Sequence, residues 1–412
     1  MARERAHEVV IVGAGIAGSA LATVLARRGI AVAVLERDIE PVDRVRGEYM
    51  VPWGVAELKR LGLLDCLTSA GGIFLKRSVP YDENTPGDTA LSFAFDLTSI
   101  YPEVPGSFCM GHPAMCAALG RTAEAAGALY VRAVENVEVT AGRPPCLTFS
   151  RRGERTEWRP RLVVGADGRN SRVRRQVGFP ILTDLPRNLL GGMLVDGVPD
   201  WPQDQQVIGT EDRTHFLIFP QGDDRLRLYL SFAYADKEPF VGRARQESVL
   251  ARFAGLRCLP YAASIAMARP IGPFNSFSNE DHWVENPSAP GVVLIGDAAG
   301  HNDPIIGQGL SIALRDVRLV SEAILGGNWE QNSFQSYAEE RLERMRRLRI
   351  LARFVTTLRA EYGEEARLRR QRAGRRARID KMLSPLPASL IGPERLPAAA
   401  FDQSTIDALL AP

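Results

Sequence analysis

The sequence predicts an α/β fold: a Rossmann-like dinucleotide-binding domain, an interleaved antiparallel β-sheet lobe, and C-terminal helices. Three observations predict it. Residues 8–36 read as strand, Gly-rich turn, helix and strand, the opening unit of a nucleotide-binding sheet. The short apolar runs 162–164 and 291–295 have the character of strands buried on both faces. Between them, Leu226, Leu228, Leu230 and Phe232 alternate with other residues, as in antiparallel strands with one apolar face.

The bulk properties agree. A chain of 412 residues suggests two domains, or one large fold with an inserted lobe. Apolar residues at 45% and charged residues at 24% exclude disordered, collagen-like and coiled-coil chains. No period of 20–50 residues repeats, which excludes solenoids. The five cysteines (66, 109, 116, 146 and 258) form no paired framework and match no zinc spacing, so reduced thiols and no metal are expected. The chain opens with Arg3, Glu4 and Arg5, and the apolar run Val9–Val12 is too short for a signal peptide. No stretch approaches the roughly 18 apolar residues of a membrane span. A cytoplasmic protein is expected.

In chain order, Val9–Val12 is β-branched, 17–28 is helical in composition, and 30–35 is again β-rich. Residues 114–134 hold a second helix and strand around Gly127, and 310–325 reads as a long helix. Leu91, Phe93, Phe95 and Leu97 alternate like the 226–232 run. The expected dinucleotide-binding domain is therefore discontinuous, 1–75, 111–179 and 286–345. Segments 76–110 and 180–285 form the β-rich lobe, and 346–412 a helical, basic C-terminal region. Residues 341–381 carry fifteen Lys/Arg against five acids, a local +10 that leaves −8 for the rest of a chain of net charge +2. Leu342, Met345, Leu348, Leu351, Phe354, Val355 and Leu358 recur there at helical spacing, giving one buried stripe and a solvated face. The run from Arg367 to Arg378 has little apolar content and leaves contact with an acidic lipid or partner open; nucleic acid is not expected. The proline-rich tail after Ser384 reads as irregular.

Three motifs carry chemistry. In Gly13-Ala14-Gly15-Ile16-Ala17-Gly18, Gly13 permits a tight turn, Gly15 close approach of a pyrophosphate, and Gly18 close helix–strand packing. The helix N-terminus that follows offers free N–H groups to phosphates. Glu36, with Arg37 beside it, ends the second strand, where a carboxylate can hold an adenosine ribose. The motif does not separate FAD from NAD. The second motif runs from Gly296-Asp297 to Pro304, Gly307, Gly309 and Leu310. It places a carboxylate at a strand's C-terminal end ahead of a helix N-terminus, with a merely turn-capping Asp297 as the lesser alternative. The third is Asp167-Gly168 after a strand, with Ser171 and Arg174 following; alone it reads as a turn.

With the three in this order, the chain resembles the single-component FAD-dependent monooxygenases of the p-hydroxybenzoate hydroxylase type, over roughly residues 8–350. The resemblance implies that Gly13, Gly15, Gly18 and Glu36 hold the ADP half of FAD, and that Asp297 binds the ribityl chain. It implies that the backbone near Gly309 and Leu310 faces the flavin pyrimidine, and that Asp167 and Gly168 serve both the FAD and nicotinamide sites. Arg46 matches the family arginine that positions the flavin. Two positions depart from the family. His112 stands where an arginine commonly opens a helix, and either a phosphate contact or a structural histidine fits it. Ser311 replaces a frequent asparagine.

The resemblance also implies transient NADPH or NADH docking, flavin reduction, and O2 addition to give a C4a-hydroperoxide that attacks an electron-rich ring or alkene. The single GxGxxG excludes a second, stable nicotinamide domain. The expected product belongs to specialised metabolism. The expected substrate pocket uses Phe93, Phe95, Phe216, Ile218, Leu228, Leu230 and Phe232, with Tyr49, Met50 and Trp53 near the flavin. No general base stands out; His215 and Tyr229 are the weak candidates. Two alternatives stay open: a flavin-dependent halogenase, whose Trp-x-Trp-x-Ile-Pro signature the five tryptophans cannot form, and a non-catalytic binding module. Substrate identity and oligomeric state are not legible.

Overall fold

A computed structural model of the chain describes residues 7–327, 329, 331–379 and 383–411. The opening charges Arg3, Glu4 and Arg5, and Lys381 of the basic run, lie outside the described residues.

The first sheet has six strands in the order Ser288–Ala289, Val292–Leu294, Leu162–Gly165, Val9–Val12, Val32–Glu36 and Leu129–Arg132. All pair in parallel except Ser288–Ala289. Its central strands are apolar throughout because both faces are covered. Val9 and Ile11 pack into a layer formed by the helices Ile16–Ala26, His112–Ala125 and Gly309–Leu325. Val10 and Val12 pack against a three-stranded meander, Glu135–Thr140, Cys146–Arg151 and Glu154–Trp158.

The second sheet has eight strands. Arg269–Pro270, Asn188–Asp196, Leu226–Ala233, Thr214–Pro220, Gln205–Glu211, Arg77–Asp82 and Phe95–Asp96 follow one another across it, and Asn275–Ser278 also pairs with Asn188–Asp196. Antiparallel pairing prevails, but Gln205–Glu211 runs parallel to Arg77–Asp82. Here the half-buried expectation fails. The strand Leu226–Ala233 is buried along nearly its whole length, because the helices Arg245–Ala254 and Ala262–Ala266 cover one face and the first domain faces the other. The alternation at 91–97 also misleads. Pro86 and Asp88 favour a helix start, so Gly87–Leu91 is helical. Only Phe95–Asp96 forms a strand, ended where the Asp96 carboxylate accepts from the Thr98 amide at 2.9 Å.

The C-terminal region is a 25-residue helix, Gln335–Arg359, followed by Glu364–Ile379. The apolar stripe is buried as expected from its period, with Leu342 displaced to the exposed side. The basic face is less solvated than expected. Arg341 and Arg344 are buried on the Asp316 carboxylate at 3.0 and 2.7 Å, and Arg370 reaches Glu83 in the second sheet's lobe at 2.5 Å. Much of the local charge is thus spent on internal ion pairs. The tail, expected to be irregular, carries the short helices Ala388–Ile391 and Gln403–Leu410 and inserts Phe401 into the main core. All five cysteines are free. No helix among the described residues is long and apolar enough to cross a membrane.

Candidate functional site

A cleft of about 940 Å³ lies between the two sheets. Its first-domain wall comes from the C-terminal ends of the parallel strands, through Val12, Glu36, Asp167 and Asp297. This is where open α/β sheets bind ligands. The motif glycines differ in what surrounds them. At Gly13, with φ 107°, a Cβ would meet the Ala166 carbonyl at 2.4 Å. At Gly18 it would meet the Gly13 carbonyl at 1.9 Å, so the helix can approach the turn only without a side chain. At Gly15 a Cβ would meet nothing within 4 Å, and the backbone there is bare toward the cleft. Glu36 accepts from the Ala14 amide at 2.6 Å and the Asp38 amide at 2.9 Å, tying the turn to the second strand. Arg37 is mostly exposed at the rim and pairs with Asp38.

Across the cleft floor, Asp297 faces Arg169, whose Nε lies 3.4 Å from Oδ2. Burial pushes the Asp297 carboxyl up, but Arg169 and Arg46 outweigh it and hold it below the ordinary range. The Asp297 turn is anchored from behind. Arg341 donates to the carbonyls of Ala299, Gly296 and Gly300 at 3.0, 3.2 and 2.9 Å, and Asp316 accepts from the Gly296 amide at 2.8 Å. Arg174 joins this turn to the Asp167 motif by donating to the carbonyls of Ala298 and Arg169, both at 2.9 Å. The Asp167 carboxylate accepts from the Arg172 and Val173 amides at 2.6 and 3.1 Å, capping the helix Arg172–Val177. Pro304, Gly307, Gly309 and Leu310 line the cleft ahead of the helix Gly309–Leu325. Ser311 does not line it and packs against Gly54.

His112 also lines the cleft, and burial first, then Arg44 and Arg46, push its pKa down to about 4. It is neutral at pH 7, so it offers a hydrogen bond to a phosphate but not a charge. Arg46 stands on the loop of residues 43–48. There Val45 has φ 57°, a left-handed conformation that costs a β-branched residue about 1–3 kcal/mol. The loop rests on a buried cluster from the second sheet. Arg227 Nε lies 2.8 Å from Glu48, its Nη2 lies 3.0 Å from Asp43, and the Tyr229 hydroxyl donates to Glu48.

The second-sheet wall corrects the expected substrate pocket. Phe216, Ile218, Leu228, Leu230 and Phe232 all point away from the cleft, into the core under the helices Arg245–Ala254 and Ala262–Ala266. Phe95 is exposed on the short edge strand, and Phe93 sits in the turn before it; neither lines the cleft. Met50 and Trp53 lie in the main core. The cleft receives the neighbours one residue along: Leu217, Phe219 and Tyr229, with Leu190 and Phe277. Period two identifies a face but not which face meets the cleft, and here both faces are apolar. Tyr49 does line the cleft, stacked on Phe219 with centroids 4.4 Å apart. Sequence reasoning also missed Arg44, Glu48, Arg169, Arg227 and His301; a charged residue in an otherwise apolar strand, as at Arg227, was a usable signal. Glu280, His282 and His301 bring ligand-type atoms within 4.8 Å of one another, the one such group among the described residues. The stacked histidine rings and the Glu280–His282 contact at 2.9 Å account for it without an ion.

Residues 6–352 match the family model described as an FAD binding domain. The chain belongs to that family. FAD is therefore its cofactor. Among curated proteins it is 28% identical over 325 residues to the mitochondrial squalene epoxidase 2 of Arabidopsis thaliana, covering 77% of this chain and 54% of that one. It is 27% identical over 333 residues to the squalene monooxygenase of Rattus norvegicus, covering 76% and 53%. The chain spans about half the length of these relatives. Among solved structures, p-nitrophenol 4-monooxygenase from Pseudomonas putida aligns with TM-score 0.76 at 18% identity over 98% of each chain. A flavin-dependent brominase aligns with TM-score 0.75 at 16% identity over 98% of this chain and 97% of its own. The fold is thus that of FAD-dependent monooxygenases, in agreement with the resemblance the motifs carry.

Proposed function

We propose that the chain is an FAD-dependent monooxygenase that takes electrons from NADPH or NADH. It would insert one oxygen atom of O2 into an apolar, electron-rich small molecule, by alkene epoxidation or aromatic hydroxylation. The observation that carries this reading is the cleft itself: a bare dinucleotide turn on one wall faces an apolar wall of Leu190, Leu217, Phe219, Tyr229 and Phe277 on the other. The squalene epoxidase relatives favour an alkene. When bound, FAD supplies electron storage and oxygen activation.

The residues present fit that group. Gly13, Gly15 and Gly18 would seat the pyrophosphate, with Glu36 on the ribose, Arg37 at the rim and His112 as an uncharged hydrogen-bond partner. Asp297 would take the ribityl chain, with Pro304, Gly307, Gly309 and Leu310 along the ring and Arg46 beside it. Asp167 and Gly168 would border both the FAD and nicotinamide positions. The apolar wall would exclude water, and Arg46 would stabilise negative charge on reduced flavin. Glu36→Ala should weaken FAD binding by about 1.5–3 kcal/mol, the worth of one charge-assisted hydrogen bond. Titration followed by flavin fluorescence measures it, and unchanged affinity would remove Glu36 from the site.

The two faces of the second sheet should respond differently. Phe216→Ala, in the core, should cost about 3–5 kcal/mol of stability, whereas Leu217→Ala, at a buried position that also lines the cleft, should cost less and alter substrate range. Urea denaturation and a turnover screen separate them; equal destabilisation would contradict the assigned face. The flavin itself is tested by anaerobic stopped-flow reduction with NADPH and NADH, with and without squalene or p-nitrophenol as probes. An accepted substrate should speed reduction more than about tenfold, about 1.4 kcal/mol of barrier. Arg46→Ala should lose most of that gain while retaining FAD. Fast reduction that ignores a verified substrate would exclude this gating.

The brominase likeness raises a halogenase as the second reading. No lysine stands among the described residues lining the cleft to relay an activated halogen, which favours oxygen transfer. Halogenated product formed with bromide or chloride would reverse that preference.

A further inference from the structure

Tyr229 is the residue on which the two halves of the site meet. Its ring belongs to the apolar wall, edge-on to Phe219 at 6.2 Å between centroids. Its hydroxyl leaves the wall and reaches the loop that carries Arg46: it donates to the buried Glu48 carboxylate and lies 3.2 Å from the Val45 carbonyl. Val45 is the left-handed, β-branched residue of that loop. Its amide is held separately by Asp43 at 2.7 Å, and Asp43 in turn by Arg227. The space for this contact is provided by Gly192, directly across the strand pair from Tyr229. A Cβ at Gly192 would come within 2.5 Å of the Tyr229 ring and 2.8 Å of the Val45 side chain. A strained backbone persists only where its surroundings over-determine it. Here those surroundings are supplied by the wall on which a substrate would lie.

We propose that Tyr229 is a positioning residue, which holds the strained 43–48 loop and with it Arg46 in the cleft, so that displacement of the Tyr229 ring on the apolar wall is passed to the flavin-side arginine. The assignment of that arginine rests on the FAD reading above; the holding of the loop does not. Removing the hydroxyl therefore releases the loop.

The loop carries its own reporter, since trypsin cleaves after Arg44 and Arg46 only when the backbone opens. Cleavage under conditions of fast opening and closing tracks the open population, so Tyr229→Phe should be cut there about tenfold faster than wild type, with or without added FAD. In FAD-loaded Tyr229→Phe, the visible spectrum of the flavin should change and its midpoint potential should fall, as Arg46 leaves the reduced ring; a purely structural tyrosine would move neither. Should Tyr229→Phe not fold, Asp43→Ala removes the other hold on Val45 and should raise cleavage in the same direction. Unchanged cleavage in the foldable variant overturns the proposal. Loss of FAD binding in wild type would instead refute the FAD reading while leaving the cleavage result to stand by itself.

Discussion

Gly15→Val should emerge from purification folded and colourless. A Cβ at Gly15 would meet no protein atom within 4 Å, so the fold leaves room for a side chain to start there. It projects into the cleft, where the phosphates would have to approach the bare backbone. The same change at Gly13 or Gly18 would be uninformative, because a Cβ there collides with the Ala166 or Gly13 carbonyl and would disturb the turn itself. The expected loss of affinity exceeds about a hundredfold, about 2.7 kcal/mol. It is read by FAD titration beside a thermal melt of the apoprotein. Wild-type affinity in a folded Gly15→Val protein would take the pyrophosphate away from this turn.

Leu348→Asp should be the most damaging single change in the C-terminal half. Leu348 has no exposed surface, and it packs in the same core as the helices beneath the first sheet. A carboxylate placed there has no partner, and the cost is several kcal/mol, enough to unfold many proteins of ordinary stability. Reversal of neighbouring Arg346, which pairs with Glu343 at the surface at 2.7 Å, should cost about 1 kcal/mol or less. Arg347 should be less tolerant, because it donates to the carbonyls of Pro393 and Leu396, both at 3.0 Å, and so clasps the C-terminal tail. Urea midpoints of the three variants give the comparison. A stable, active Leu348→Asp protein would place the stripe against solvent or a membrane instead.

What the sequence makes legible follows from how local the determinants are. The strand–glycine–helix unit and the Asp297 turn are specified by contiguous residues, so their place at the strand ends follows from spacing alone. The buried stripe of the helix Gln335–Arg359 is legible for the same reason. The second wall is not. Each strand there has apolar residues on both faces, and whether Phe216 or Leu217 meets the cleft depends on the helices Arg245–Ala254 and Ala262–Ala266, which come later in the chain. The supports of the site are equally hidden. Arg341 reads as one charge in a basic run, yet its guanidinium holds the Asp297 turn across more than 40 residues of sequence. Arg227 and Glu48 read as strand and loop charges, yet they join the two lobes. Long-range ion pairs leave no period and no motif. Where one is buried, the fold must be known before its purpose can be.

On the proposed function, this cleft brings reduced FAD and an apolar molecule together for oxygen transfer. The most direct measurement is mass spectrometry of the product after turnover with NADPH or NADH under isotopically labelled dioxygen, using any compound that accelerates flavin reduction. The expected result is one labelled oxygen atom in the product, with labelled water formed alongside. Accelerated reduction that yields hydrogen peroxide and an unaltered compound would contradict it.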